Sequence, residues 1–414
     1  MKKLYLILCA GILAFAAVSC NKQDVEPAKP MSGTEIKQKL ADTAVDALKE
    51  VDPKYWENWA ETTTGLVDAI KEVEGGNLGE FGDDLQKVMV STETKDQKTI
   101  ITTLIKLSLI KGDVTVVDNA FKYTKSDNQF NITYVYNGKT YKAQLESEGE
   151  NADGIIITER EYEGIEEGTE IRLVKAVIPT KAAVRVTENG KLFLDVVVTP
   201  TVEDKNGNGM LDEGDIIRGS ATIQIPDYEL NLNDLYITDD EGKGAMRLSH
   251  AGKSVLAIEG QAKLDLFVER VKALEDYSIN YIPKEVIGNV SVLGGTAILR
   301  ADAKVEKLLG VSTKYETEDE AKKAAETITK NLKADLYFDN NPTIQASLCI
   351  IVEKDLVSGW NLVAGVHLYD GSADVPASEF FDFSEDVWKP VSGEASAFIV
   401  KFSQYFGKLR SNRG

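Results

Sequence analysis

The spacing of apolar residues along this chain changes twice. From residue 34 to 113 they recur every three or four positions. In TEIKQKLADTAVDALKEV (34–51), Ile36, Leu40, Ala44, Val45 and Leu48 share one side of a helix. Thr34 is the expected cap, and with Lys37 at the N3 position no capping box is expected. Asp52-Pro53 ends this helix. KYWENWAETTTGLVDAIKEVEGG (54–76) predicts a second, stopped by its glycine pair, and KDQKTIITTLIKLSLIKGD (95–113) a third.

From 114 to 305 the period becomes two. ITYVYNGKTYKAQLES (132–147), VRVTENGKLFLDVVV (184–198) and MRLSHAGKSVLAIEG (246–260) share one plan: strand, a turn with Gly-Lys, strand. In the first two the turn is Asn-Gly, which readily takes the positive φ angles of a tight hairpin. VSVLGGTAILRADAKV (290–305) reads as a further strand. Beyond 306 the pattern mixes. TEDEAKKAAETITKNLKADL (317–336) predicts a helix with a Thr317–Glu320 capping box. TIQASLCIIVE (343–353) and GWNLVAGVHLYD (359–370) predict strands. GEASAFIVKFSQYFGKL (393–409) predicts a terminal helix whose Ala397, Val400, Phe402, Tyr405, Phe406 and Leu409 form an apolar face suited to docking on a sheet. The expected fold class is α+β. A helical segment (34–113) precedes a large, mainly antiparallel β-sheet or sandwich (114–305). A mixed α/β segment (306–414) follows, with its last helix packed on the sheet.

The first residues change the picture from fold to location. Lys2 and Lys3 precede the apolar run LYLILCAGILAFAA (4–17), and AVSC ends at Cys20, so residues 1–19 read as a signal peptide. The run is shorter than the ~20 residues a membrane span needs. Small residues before a cysteine resemble the lipobox of bacterial lipoproteins. That resemblance implies cleavage before Cys20, lipidation of Cys20, and attachment to the cell envelope, at either face of the outer membrane. Residues 20–33 then read as a polar tether with two prolines. Asp24 and Glu26 resemble the surface-export signals of Bacteroidetes lipoproteins.

Charge and cysteines narrow the partners. The formal net charge is −20, and losing Lys2 and Lys3 makes the mature chain more acidic still. Nucleic acid and anionic lipid headgroups are therefore poor partners for the body. The acidic stretch 146–170 is expected to be a solvated edge. Cys9 leaves with the leader and Cys20 carries lipid, so Cys349 remains alone and no internal disulfide is expected. Cys349 reads as a small buried side chain in a strand, with no basic neighbour in sequence to make it reactive.

One stretch suits a specific ligand. DKNGNGMLDEGD (204–215) places oxygen-bearing side chains at positions 1, 3, 5, 9 and 12: Asp204, Asn206, Asn208, Asp212 and Asp215. Gly209 supplies the sharp turn and Met210 a backbone carbonyl. A hard cation such as calcium collects oxygens from a curled loop of this kind. Position 12 is Asp rather than Glu, which shortens its reach. The flanks KLFLDVVVT (191–199) and IIRGSATIQI (216–225) read as strands, so the loop resembles the calcium loops of secreted β-domains more than an EF-hand. Calcium there would be structural. The alternative is a long polar hairpin loop built on Asn-Gly turns.

Catalytic motifs are missing from the sequence. Its two histidines, His250 and His367, each fall at a strand end without a motif partner. No G-x-S-x-G, H-E-x-x-H, P-loop or G-x-G-x-x-G after a strand occurs. A carboxylate pair for glycoside hydrolysis cannot be picked from 67 acidic residues. No catalytic residue is assigned and no enzyme is expected. Two aromatic groups, Tyr55/Trp56/Trp59 and Phe380/Phe381/Phe383/Trp388, are expected in cores, but an exposed one would make a sugar platform. Asp42-Thr43-Ala44 resembles a short O-glycosylation sequon of Bacteroidetes, although an ordinary helix turn is expected.

Taken together, the lipobox, tether, Asn-Gly-Lys hairpins and calcium-type loop resemble large β-rich envelope lipoproteins of Bacteroidetes. The resemblance implies a place in the cell envelope and carries over no catalytic residue; the expected role is binding or structural, with a glycan or an envelope protein as the candidate partner. A glycan-binding or glycan-hydrolysing protein and a carrier of an apolar ligand are the alternatives.

Overall fold

The computed structural model describes residues 28–51, 111–117, 120–125, 129–136, 138–148, 156–160, 171–175, 179–207, 214–238, 240–263, 283–308, 310–355 and 359–411. Mixed β-sheet makes up most of the protein, with a few helices. The chain divides into two compact units. One joins Met1–Asp52 to Asp239–Val400; the other joins Pro53–Thr238 to Lys401–Gly414. The division at 238/239 falls inside the stretch read as one β-rich domain, and it does not coincide with the boundary expected near 305. Period-two patterning runs through both units, so nothing in the hydrophobic pattern marks the break.

Helix α1 (Gly33–Glu50) opens the first unit. Its cap is Ser32, not Thr34. The Ser32 hydroxyl accepts from the Glu35 N–H at 3.3 Å, and the Glu35 carboxylate accepts from the Ser32 N–H at 2.8 Å. A capping box is therefore present after all, two residues before the expected cap Thr34. Gly33 disguised it, because glycine rarely signals a helix start. Ile36, Ala41 and Thr43 are buried, while Leu40, Ala44, Val45 and Leu48 are half-buried. The helices expected at 54–76 and 95–113 lie outside the described residues, apart from Lys111–Asp113, and Gly112–Asp113 already begin a strand.

The second unit is built from β1 (Gly112–Val117), β2 (Ala120–Lys125), β3 (Phe130–Tyr136), β4 (Lys139–Glu148), β5 (Ile156–Arg160), β6 (Ile171–Lys175), β7 (Lys181–Glu188), β8 (Lys191–Glu203), β9 (Ile216–Ile225) and β10 (Tyr228–Ile237). The pairings give the order β2-β1-β3-β4-β7-β8-β9-β10. Every pair is antiparallel except β1–β3, which is parallel. Strands β5 and β6 pair separately, between β4 and β7 in sequence. One face is apolar: Val114 and Val116 meet Ile132 and Tyr134, which meet Ala143 and Tyr141, and Ala143 meets Val186. All of these side chains are buried. This is the period-two pattern doing what alternation across a pleated sheet requires.

The first unit continues with β11 (Glu241–His250), β12 (Lys253–Lys263), β13 (Glu285–Val292), β14 (Ala297–Ala303), α2 (Val305–Leu308), β15 (Lys314–Tyr315), α3 (Glu318–Asn331), β16 (Leu332–Phe338), β17 (Ala346–Asp355), β18 (Gly359–Leu368), β19 (Val375–Pro376), α4 (Ala377–Phe380) and α5 (Lys389–Ser411), whose residues after Val400 belong to the second unit. The antiparallel order is β11-β12-β13-β14-β16-β17-β18, and β18 also pairs with β15 and β19. The stretch 290–305 is not one strand. Leu293 and Gly294, at φ 49 and 65, turn β13 back into β14. The Gly294-Gly295 pair inside an apolar run was the signal for that turn.

The three Gly-Lys hairpins form as expected, with Asn189 (φ 49) and Gly190 (φ 80) making the tight turn between β7 and β8. Helix α3 has the expected Thr317–Glu320 capping box, but it stops at Asn331 and the chain passes directly into β16. Helices α1 and α3 pack on the same face of the sheet, because Ala346, Ile350 and Val352 alternate in step along β17. Ile36 of α1 packs with Phe338, Ala346, Val366, Leu368 and Phe380. Ala321 and Ala325 of α3 pack with Leu362, Ile350, Val352 and Trp360. The terminal helix differs from expectation over its described side chains. Ala397, Ile399 and Val400 are exposed, and no side chain from Lys389 to Lys401 is fully buried. Phe402, Tyr405, Phe406 and Leu409 lie outside the described side chains.

Candidate functional site

The calcium-type loop is the connection between two paired strands. The β8–β9 ladder runs to Glu203↔Ile216, so residues 204–215 close its end. Asp204 Oδ1 accepts from the Gly207 N–H at 2.6 Å, three residues on, and so ties down the first turn of the loop. Asp215 is 4% exposed, and its Oδ1 accepts from the Lys205 N–H at 2.9 Å. Beneath them Glu203 binds Lys205 and Arg218, and those hydrogen bonds, Lys205 first, hold its carboxyl below the usual range. Of the predicted ligands, Asp204, Asn206 and Asp215 are described, and the ladder brings Asp204 and Asp215 to the two ends of one closure. Asn208, Met210 and Asp212 lie outside the described residues. Both described aspartates have a backbone task, so aspartate at these two positions has a purpose in a hairpin loop as well as in a cation site.

A second grouping was not visible in the sequence. On the face of the first unit's sheet opposite α1 and α3, one residue per strand lines up in direct register: Glu259↔Asn289, Asn289↔Arg300, Arg300↔Asp335, Asp335↔Ser347 and Ser347↔His367. The Ser347 hydroxyl donates to Asp335 at 2.5 Å and lies 3.0 Å from the Tyr369 hydroxyl. The Arg300 guanidinium sits 4.5 Å over the Tyr337 ring. Burial, then the Asp335 charge, pushes the Tyr337 phenol up. His367 Nδ1 lies 2.7 Å from Asp374 Oδ1, and its ring meets Tyr369 edge-on at 4.8 Å. Glu259 Oε2 and Asn289 Oδ1 are buried acceptors without a hydrogen-bond partner among the described residues.

Serine, histidine and aspartate thus come together from β17, β18 and the loop after it. The geometry suits hydrogen bonding rather than nucleophilic attack. Ser347 gives its proton to Asp335, not to His367, whereas an activated serine must be bonded to its base. The other histidine also faces a carboxylate, with His250 Nδ1 2.6 Å from Glu50 Oε2 at the end of α1. Neither pairing follows from a motif. Asp374 lies seven residues beyond His367, and Glu50 lies two hundred residues before His250.

The aromatic group at 380–388 divides. Phe380 and Trp388 are core, but Phe381 and Phe383 are 41% and 56% exposed. Tyr55, Trp56 and Trp59 lie outside the described residues. Cys349 is half-buried; desolvation first, then the nearby Asp374, pushes its thiol up to about 11. Thr43 is 5% exposed and its hydroxyl donates to the Lys39 carbonyl at 2.7 Å. A glycan on Thr43 would have to displace that packing, so the helix-turn reading of Asp42-Thr43-Ala44 holds. A groove of about 530 Å³ follows the polar side of α1, lined by Glu35, Lys39, Asp42 and Asp339 among others. Lys39 and Asp339 form an ion pair across it. Among the described residues no helix is long and apolar enough to cross a membrane. No family model, curated protein or solved structure matches this chain.

Proposed function

We propose that this chain is an envelope-anchored lipoprotein, held at the outer membrane by acyl chains on Cys20, whose β-rich body binds or supports rather than catalyses. The observation that carries the anchor is the basic start, short apolar run and small residues ending at Cys20. A binding role draws support from the in-register row Asn289, Arg300, Asp335, Ser347 and His367. It presents donors and acceptors on a rigid sheet face, and its serine is already committed to a carboxylate. Calcium in the 204–215 loop, held by Asp204, Asn206, Asn208, Asp212, Asp215 and the Met210 carbonyl, is proposed as a structural element.

Glycan binding is the favoured alternative within this reading, because the polar row offers hydrogen-bonding groups that suit sugar hydroxyls. Hydrolysis and carriage of an apolar ligand draw no comparable support; the groove along α1 mixes Met31 and Leu293 with the charged Glu35, Lys39, Asp42 and Asp339 and is no dry apolar tunnel.

Two measurements test the proposal. Mass spectrometry of the mature N-terminus is expected to show acyl chains on Cys20, and Cys20→Ala is expected to release the protein from membranes. An unmodified Cys20 would remove the anchor. A glycan array with the purified body tests the ligand class. If a glycan binds at the sheet face, Arg300→Ala and Tyr369→Ala weaken it about tenfold, as the loss of one good hydrogen bond to a charged group or of one ring contact requires. Unchanged binding in both variants would move the site elsewhere.

A further inference from the structure

Phe381 and Phe383 are exposed on a segment anchored by the buried Phe380 and Trp388. Trp388 holds them there. Its indole N–H donates to the Phe380 carbonyl at 3.2 Å, and its ring lies 5.6 Å from Phe381 and 5.7 Å from Phe383. Asp382 accepts the Ser384 N–H at 2.9 Å, which fixes the turn between the two rings. An ordered pair of exposed aromatic rings is a feature that folding alone does not favour.

The pair lies close to where the N-terminal segment joins the fold. Met31 and Ile36 pack in the same core cluster as Phe380. Lys37 sits 5.3 Å over the Phe380 ring and bonds Glu385 at 2.8 Å. Upstream, the Met31 N–H donates to Gln345 at 2.8 Å and the Ala28 N–H to Asn341 at 3.1 Å, so the chain is pinned from Ala28 onward. Eight residue steps separate Cys20 from Ala28. At full extension they reach at most about 29 Å.

We propose that Phe381 and Phe383 form the lipid-facing contact of the anchored body and seat on a zwitterionic bilayer surface. The inference rests on the Cys20 anchor proposed above. Acyl chains on Cys20 keep this corner within one short tether of the bilayer. Contact is then an intramolecular event, for which two rings suffice where they would not hold a free protein. Exposed phenylalanines on a membrane-facing surface bury at the boundary of headgroups and acyl chains. The rim selects the lipid charge: Glu379, Asp382, Glu385 and Asp386 outnumber Lys37 and Lys389, so anionic headgroups are repelled. The consequence is a defined orientation, with the α1 and α4 end of the first unit toward the membrane and the far end of β18 away from it.

The test uses the full acylated chain in phosphatidylcholine vesicles. A polarity-sensitive fluorophore is attached through Phe383→Cys, and in a second preparation through Ser312→Cys, at the other end of β18. Both positions are exposed, so folding is kept and is checked by circular dichroism. The label at 383 is expected to shift to the blue and to be quenched at least twofold by brominated lipid, while the label at 312 stays at its aqueous emission. Vesicles rich in phosphatidylglycerol are expected to weaken the quenching. If both labels stay aqueous on acylated, vesicle-bound protein, the contact is wrong and the anchor stands. If Cys20 carries no acyl chain, anchor and contact fall together. A blue shift at 383 that grows with protein concentration without lipid would assign the rings to a second copy of the chain and overturn the proposal.

Discussion

The buried carboxylate of Asp215 accepts the backbone N–H of Lys205 at 2.9 Å and ties together the two ends of the β8–β9 loop. Removing that carboxylate leaves a backbone donor without its partner. Asp215→Ala is therefore expected to cost about 1–3 kcal/mol whether calcium is present or not. Calcium should separately raise the melting temperature of the native chain, and Asp204→Ala combined with Asp212→Ala should abolish that rise. Calorimetry in calcium and in chelator decides the matter. Equal melting of the native chain in both would leave the loop as a polar closure without a cation.

Glu203, under the same loop, carries a depressed pKa through Lys205 and Arg218. Its pairing stabilises the folded state above the ordinary carboxylate range. That contribution fades as pH falls through the lowered folded value, where the carboxylate takes up its proton. In NMR titrations Glu203 should titrate below a free glutamate, and Lys205→Ala with Arg218→Ala should return it toward the ordinary range. An unmoved midpoint in the double variant would show that neither cation is responsible.

Ile36 is 0% exposed against Phe338, Leu368 and Phe380 and is the main apolar attachment of α1. Ile36→Ala is expected to destabilise the first unit by about 2–5 kcal/mol through lost burial and the cavity left behind. Denaturant melts would show this as a lower midpoint. A change under 1 kcal/mol would mean that the capping box and the Lys37–Glu385 and Lys39–Asp339 pairs hold the helix instead.

Cys349, with its thiol raised to about 11, should be slow to alkylate. At pH 8 its thiolate population falls on the order of a hundredfold below that of a free cysteine, and the rate follows the thiolate. Iodoacetamide kinetics on a chain expressed without residues 1–20 would check this. A rate equal to that of free cysteine would show that burial and Asp374 do not raise the thiol.

How far each feature could be read depended on the distance in sequence over which it is encoded. The β7–β8 turn rests on Asn189-Gly190, two adjacent residues. The α3 cap rests on Thr317 and Glu320, three apart. The Ser32–Glu35 box is equally local, but Gly33 conceals it, as the apolar flanks conceal the Gly294-Gly295 turn. The polar row is another matter. Arg300, Asp335, Ser347 and His367 sit on four strands, and no spacing between them in sequence identifies the set.

Local chemistry was thus enough to specify alternation, turns, caps and the placing of an oxygen-rich loop between two strands. Backbone dihedrals and nearest-neighbour hydrogen bonds decide those features within a few residues. Which strands lie side by side, such as β14 beside β16 across the whole of α3 or β1 parallel to β3, depends on chain folding at long range. A backbone ladder accepts almost any pair of residues; the choice among registers is made by burying Ile36, Phe338, Leu368 and their neighbours together. That burial puts Ser347 opposite His367, and Phe381 and Phe383 beside the root of the N-terminal segment.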